Sequence, residues 1–185
     1  MRSRISLLLV LIFAVYTKGA DFYVDANNGD DQNGNGTFNK PWQSITFALS
    51  KLTTETEMQV LNVAPATYDT TIEKFPLKLS NRISLIGAGN EVTILDAQGT
   101  ETVLRCENVN DKKTRIEGFT IRGGQGQYIS GEPTAGGIQL VESSPTISSN
   151  KLEKNYDSHD NEVGIRCIAE SSPVIEGNIF NGSKV

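Results

Sequence analysis

The sequence predicts an all-β protein, a parallel β-helix solenoid with a short N-terminal helical cap. Three observations predict it: an internal repeat, strand-like alternation within each repeat, and one stretch of helical periodicity ahead of the repeats. The repeat is clearest where Glu-Ser-Ser-Pro at 142–145 recurs at 170–173, a shift of 28 residues. A weaker copy around Ile116 lies 31 residues before Ile147. Units of this length, with short strands and no helix-length crossover, stack as the coils of a solenoid.

Strands are indicated by the alternation of apolar and polar residues over three to five positions, broken by Gly, Asn, Ser and Pro. A period of two is typical of strands. The segments 60–68, 83–90 and 92–96 are predicted to form the first two coils. The whole solenoid is expected to occupy residues 58–185, in four to five coils.

Two asparagines occupy equivalent corners of successive coils. Asn150 and Asn178 fall where one strand ends and the next begins, a position predicted to need a residue that tolerates the left-handed conformation. Stacked amide side chains can hydrogen-bond along the solenoid axis. Phe119 holds the equivalent place one coil earlier, so the asparagine stack is expected to be incomplete.

A helix is predicted ahead of the coils. Apolar residues spaced by three, four and three positions mark one helical face: Trp42, Ile45, Leu49 and Leu52. Ser44 is suited to cap a shorter version of this helix. Because the terminal coil of a solenoid exposes a core edge and open strand edges, it needs a cap. Residues 20–57 are predicted to supply it.

The two cysteines are predicted to remain free. Strand alignment places Cys106, Leu140 and Cys167 in one inward column, with the cysteines two rungs apart. Parallel neighbours lie about 4.8 Å apart, so the cysteines would be separated by roughly 9 to 10 Å. A disulfide does not close beyond about 7 Å between Cα atoms without backbone movement. Two buried thiols are expected.

The first nineteen residues have the layout of a secretory signal peptide. Arg2 and Arg4 precede an apolar run at 7–16, and small residues follow before Ala20. The run is too short for a transmembrane helix, which needs about 20 apolar residues. A secreted protein, extracellular or at the cell surface and without a membrane span, is therefore expected.

The charge balance argues against bulk binding to polyanions. The chain carries 17 basic and 22 acidic side chains, a formal net charge of −5. Nucleic acids and anionic lipids are bound mainly through Lys and Arg. No nucleic-acid partner is therefore predicted. A net charge of −5 is still compatible with a local basic site.

A family resemblance is carried by the segments 22–25, 29–34 and 40–45 and by the first-coil segment 60–68. They resemble the N-terminal domain of unknown function found in many secreted, right-handed, parallel β-helix proteins, and pectin-lyase-like proteins more generally. The resemblance implies an extracellular protein that handles polysaccharide as a lyase, a hydrolase or a binder. Catalytic signatures of the polygalacturonases and pectin methylesterases are not found, so no catalytic residue is assigned. The alternative is a non-catalytic surface or structural protein for adhesion or assembly.

A calcium site is predicted in the loop ahead of the cap. Asp31, Asn33 and Asn35 present oxygen atoms at alternate positions before a glycine, and Asp25 and Asp30 would complete the set. The acidic ligand that closes an EF-hand is absent, since the twelfth position is a tryptophan. The alternative is a polar turn-rich loop without a metal.

A substrate site for an acidic glycan is predicted on the outward strand face. Arg105 and Arg166 fall in one outward column with Gln139 between them, and Arg122 is expected nearby. The planar guanidinium group binds a carboxylate through two hydrogen bonds. The alternative is an ordinary solvated strand face.

Two further expectations concern hydrolysis and assembly. Glu117 and Glu176 align two coils apart, roughly 9 to 10 Å by rung spacing, which is at the wide end for the carboxylate pair of an inverting hydrolase.

The chain stops at 183–185 partway through a coil, so a truncated member of a longer family, or self-association through that end, is expected.

Overall fold

The computed structural model describes residues 19–52, 57–129 and 132–182, which form a parallel β-helix of about four coils with one short helix. The predicted fold class is confirmed. The predicted signal peptide falls on residues 1–18, outside the described residues, as does the chain end at 183–185. Within the described ranges, no helix is long and apolar enough to cross a membrane.

Three parallel sheets form the faces of the solenoid, and each coil adds one strand to each. The first face contains β1 (Ala20–Val24), β2 (Gln59–Val63), β5 (Ile83–Gly87), β8 (Arg115–Glu117), β13 (Thr146–Ser148) and β16 (Val174–Glu176). The second contains β3 (Ala66–Asp69), β6 (Thr93–Asp96), β9 (Thr120–Arg122), β14 (Lys151–Glu153) and β17 (Ile179–Asn181). The third contains β4 (Leu77–Leu79), β7 (Leu104–Glu107), β12 (Ile138–Val141) and β15 (Ile165–Ile168). An antiparallel hairpin, β10 (Tyr128–Ile129) and β11 (Glu132–Pro133), is inserted between β9 and β12.

The core consists of inward side chains stacked in columns along each face. On the first face, Leu61, Leu85, Ile116 and Ile147 are paired in register and fully buried. Equivalent columns run along the other two faces. Each coil therefore adds an apolar layer to one continuous core. This stacking requires inward apolar and outward polar residues to alternate within each strand.

The N-terminal cap combines a helix with an additional strand. The helix α1 (Ile45–Lys51) begins after Ser44, whose Oγ accepts a hydrogen bond of 3.1 Å from the Phe47 N–H. The predicted helix and its serine cap are confirmed, and Ala48 is more deeply buried than the predicted Leu49. Strand β1, which sequence reasoning missed, pairs in parallel with β2 and extends the first face.

The register predicted for the cysteine column is confirmed, but only one thiol is buried. Cys106 and Cys167 both pair with Leu140 on β12. Cys106 is buried, and this burial raises the pKa of its thiol to about 12. Cys167 is exposed, because β15 is the terminal strand of the third face among the described strands, and no coil within the described residues covers it. The prediction of two buried thiols was wrong for Cys167.

Thiol labelling should distinguish the two cysteines. We expect iodoacetamide to modify Cys167 in the native protein and Cys106 only after denaturation, because only the former is accessible. Mass spectrometry after a timed reaction measures this, and Cys167→Ser should leave a native protein without fast labelling. Equal labelling rates at both thiols in the native protein would contradict the burial of Cys106.

The asparagine corners are confirmed as a stack, with one correction. Asn150 Nδ2 donates to Asn178 Oδ1 (3.1 Å), and Asn150 Oδ1 accepts from the Phe119 N–H (3.0 Å). The left-handed conformation belongs to the residue before each corner asparagine, with φ of 57° at Ser149 and 61° at Gly177. The asparagines are therefore selected for hydrogen bonding between coils, and the preceding residue makes the turn.

Candidate functional site

A groove runs along the corner between the first and second faces, where the strands of the first face end. It consists of two adjoining cavities of about 320 and 520 Å³, which share Gly87 and Ala88. Because each coil contributes its own corner, the groove follows the solenoid axis. We call it the corner groove.

Backbone forms the floor of the corner groove. A Cβ atom on Gly87 would overlap the carbonyl oxygen of Gly118 on the next coil. Gly118 itself has a φ of 80°, a conformation that favours glycine. The two glycines therefore allow successive coils to approach closely and leave space above them for a ligand.

An exposed aromatic residue marks the N-terminal end of the corner groove. Phe38 is 76% exposed and meets the Tyr23 ring edge-on at 5.4 Å. Hydrogen bonds fix the turn that carries Phe38: Tyr23 N–H donates to Gly36 O (2.9 Å), and Asn35 Oδ1 accepts from Thr37 Oγ1 (2.8 Å). The ring is therefore presented by a constrained loop and not by a free one.

The charged groups lining the corner groove are acidic. Among the described residues that line it, Asp25, Glu91 and Glu117 carry charge and none is lysine or arginine. Partial burial opposes ionisation of Asp25, but hydrogen bonds from Asn28 and from nearby backbone N–H groups outweigh it and lower its pKa. The groove consequently presents negative charge at neutral pH.

The residues of the predicted calcium site lie in and around the loop beside the corner groove, where the side-chain oxygens of Asp25, Asp30, Asp31 and Asn35 accept hydrogen bonds. Asp31 accepts from Ser44 Oγ (2.6 Å) and from the Gln43 N–H (2.7 Å), which ties the loop to α1. Asp30 accepts from Asn33 Nδ2 (2.8 Å). In the part of the chain that the structure describes, no group of three or more His, Cys, Asp or Glu is placed to hold a metal. Calcium binding stays a prediction.

The three predicted substrate arginines are divided between two faces. Arg105 and Arg166 flank Gln139 on the third face, in the predicted register. Gln139 is only 1% exposed, because its Oε1 accepts from the Ala135 N–H (2.9 Å) of the segment that follows the inserted hairpin. Arg122 lies on the second face and donates to Asp96 (2.8 Å). The outward column is thus interrupted by a buried side chain, and glycan binding by these arginines stays a prediction.

A family model matches residues 27–185 and is described as "Protein of unknown function (DUF1565)". The chain belongs to this family. A comparison with curated proteins and one with solved structures returned no match. Membership in the DUF1565 family agrees with the parallel β-helix, and neither assigns an activity.

The carboxylate pair expected in this DUF1565 protein is aligned as predicted. Ser148 pairs with Glu117 on one side and with Glu176 on the other. Glu117, however, forms an ion pair with Arg115 and accepts from Ser148 Oγ at 3.3 Å. It is therefore held within the strand face by its neighbours, and no catalytic role is assigned to it.

Sequence reasoning missed a buried carboxylate beneath α1. Glu73 is 6% exposed and accepts hydrogen bonds from the Ile45 N–H (2.6 Å), the Thr46 N–H (2.8 Å) and Thr46 Oγ1 (2.6 Å). Burial is the largest influence and raises its pKa to about 7, although the hydrogen bonds oppose this. No local pattern marks Glu73, because its partners lie 27 and 28 residues earlier in the chain.

Proposed function

We propose that this protein is an exported, non-catalytic carbohydrate-binding module that holds a polysaccharide chain in the corner groove. The observation that carries the proposal is the alignment of this groove with the solenoid axis, with the exposed Phe38 ring at one end. A linear polymer can extend along such a groove and contact one coil after another, spaced about 4.8 Å apart.

The chemistry of the lining supports a sugar ligand. One face of a pyranose ring carries C–H groups, which pack on the exposed face of an aromatic residue such as Phe38. Polar side chains lie further along the groove, including Asn62 on β2 and Asn90 after β5. Apolar surface combined with a few polar groups is typical of small-molecule and sugar sites.

The acidic lining favours an uncharged polysaccharide. Asp25 and Glu91 would repel the carboxylates of a polyuronate, whereas the charge of Glu117 is paired with Arg115. The predicted arginine site lies on a different face and is an alternative location for an acidic glycan. Export, predicted from the leader, is part of this proposal because it would bring the module into contact with extracellular polysaccharide.

Affinity electrophoresis with a panel of soluble polysaccharides tests the proposal. We expect retardation by an uncharged polymer, such as a glucan, xylan or mannan, and weaker or no retardation by polygalacturonate. Phe38→Ala should weaken this binding roughly tenfold, because it removes the aromatic surface. The matched control is Tyr128→Ala, since Tyr128 is 58% exposed but lies outside the groove.

Two results would contradict the proposal. Binding to none of the polysaccharides would leave adhesion or assembly as the better interpretation. Binding that Phe38→Ala leaves unchanged would place the ligand outside the corner groove, and Arg105→Ala would then test the third face.

A further inference from the structure

A separate cavity of about 480 Å³ lies between α1 and β4. Its apolar lining includes Leu49 from α1, Phe75 ahead of β4 and Leu77 at the start of β4. Its polar lining includes Lys74 and Lys78, both exposed. We call it the α1–β4 cavity.

The charge of the α1–β4 cavity is opposite to that of the protein. The chain carries a net charge of −5, and the described residues lining this cavity include two lysines and no acid. The corner groove has only acidic charges in its described lining. Arg105 lies directly beside Lys78 in the register of β4 and β7, but its charge is paired with Glu107 (2.6 Å), so the positive charge at the cavity comes from the two lysines.

Strand β4 also provides an open sheet edge. It is the terminal strand of the third face, with β7 as its only strand neighbour among the described strands. The Leu77 N–H donates toward β7, to Val103 O at 2.9 Å. In a parallel ladder, successive residues direct their backbone groups to opposite edges, so the N–H and C=O of Lys78 are directed away from β7. Helix α1 packs against β4, and the cavity lies between them.

We propose that the α1–β4 cavity binds an extended acidic peptide segment, which adds a strand to the free edge of β4. Backbone hydrogen bonds to Lys78 would fix the peptide as a strand, as in other cases of strand addition. Its alternate acidic side chains would meet Lys74 and Lys78, and its apolar side chains would contact Leu49 and Phe75. This site is distinct from the corner groove and goes beyond the proposed glycan binding.

Fluorescence polarisation with a labelled peptide, acetyl-Val-Glu-Val-Glu-Val-Glu-Val-amide, tests this inference on the full chain. We expect binding that the Lys74→Glu/Lys78→Glu double variant weakens at least about tenfold, by reversing the charge at the site. The control is Lys112→Glu/Lys113→Glu, which makes the same change in net charge at two exposed lysines outside the cavity. The control should bind as the unaltered protein does.

A second peptide, N-methylated at alternate residues, tests the strand addition itself. Removing its N–H groups should abolish binding, because the backbone hydrogen bonds to the β4 edge are then lost. The inference is overturned if neither peptide binds, if the N-methylated peptide binds equally well, or if both double variants behave alike. A glucuronic acid oligosaccharide that binds in a lysine-dependent manner, where the peptide does not, would also overturn it.

Discussion

Replacing Asn150 with alanine should destabilise the protein by about 3 kcal/mol, because it leaves two buried backbone groups without partners. Asn150 is fully buried, at 0% exposure. Its Oδ1 accepts from the Phe119 N–H (3.0 Å) and its Nδ2 donates to Ile116 O (2.9 Å). Alanine can satisfy neither group, and the close packing of the coils leaves little room for water. Urea denaturation of the variant and the unaltered protein measures the difference.

Asn178 supplies a matched control for this substitution. It holds the same corner one coil later and donates to Ile147 O (2.8 Å), but it is only half-buried. Water can reach part of this position, but Asn178 Oδ1 also accepts from the backbone N–H of the buried Asn150 (2.9 Å), so Asn178→Ala should cost about 1 to 2 kcal/mol, less than Asn150→Ala. Equal losses for the two variants would show that burial does not determine the strength of the corner stack.

Stability should fall as the pH rises from about 4.5 to about 7, because of Glu73. The pKa of Glu73 is raised by burial from 4.5 to about 7 in the folded state. Between these values the folded protein binds more protons at this site than the unfolded chain does, so the free energy of unfolding decreases with increasing pH. The stability that the protonated Glu73 carboxyl contributes is fully present below pH 4.5, its pKa in the unfolded chain. This stability is lost as the pH rises through about 7, its pKa in the folded protein. A shift of this size corresponds to roughly 3 kcal/mol.

Glu73→Gln tests the source of this pH dependence. Glutamine is of similar size but does not titrate, so the variant should lose the decline in unfolding free energy between pH 4.5 and 7.5. Glu91→Gln removes an exposed carboxylate and should keep the decline. Parallel pH profiles for Glu73→Gln and the unaltered protein, measured by denaturation at several pH values, would rule out Glu73 as the cause.

Features that depend on neighbouring residues, or on the repeat itself, were predictable from the sequence. Ser44 and the apolar spacing after it marked the helix and its cap, and both are present. Alignment of the repeats placed Gln139 between Arg105 and Arg166 and aligned both cysteines with Leu140. These predictions succeeded because strand register in a solenoid follows directly from equivalent positions in the repeat.

Other features depended on what covers each repeat position. Gln139 occupies an outward position yet is buried, because the segment after the inserted hairpin folds over it. Cys167 occupies an inward position yet is exposed, because it lies on the last described coil. A repeat pattern specifies the direction of a side chain but not the depth at which it lies.

The candidate sites were harder to predict because they join segments from different coils. The corner groove combines a loop residue, Phe38, with the ends of strands from several coils. Glu73 reaches the start of α1 across 28 residues of chain. Neither arrangement leaves a local signature in the sequence.

Periodicity and local capping chemistry were enough to predict the repeat, the strand faces, the capping helix and the register of the columns. The exposure of each column member, the positions of the grooves and the charges that line them became known only from the folded stack of coils. Burial and electrostatic environment depend on the neighbouring coils and on the inserted hairpin, and no single repeat contains that information.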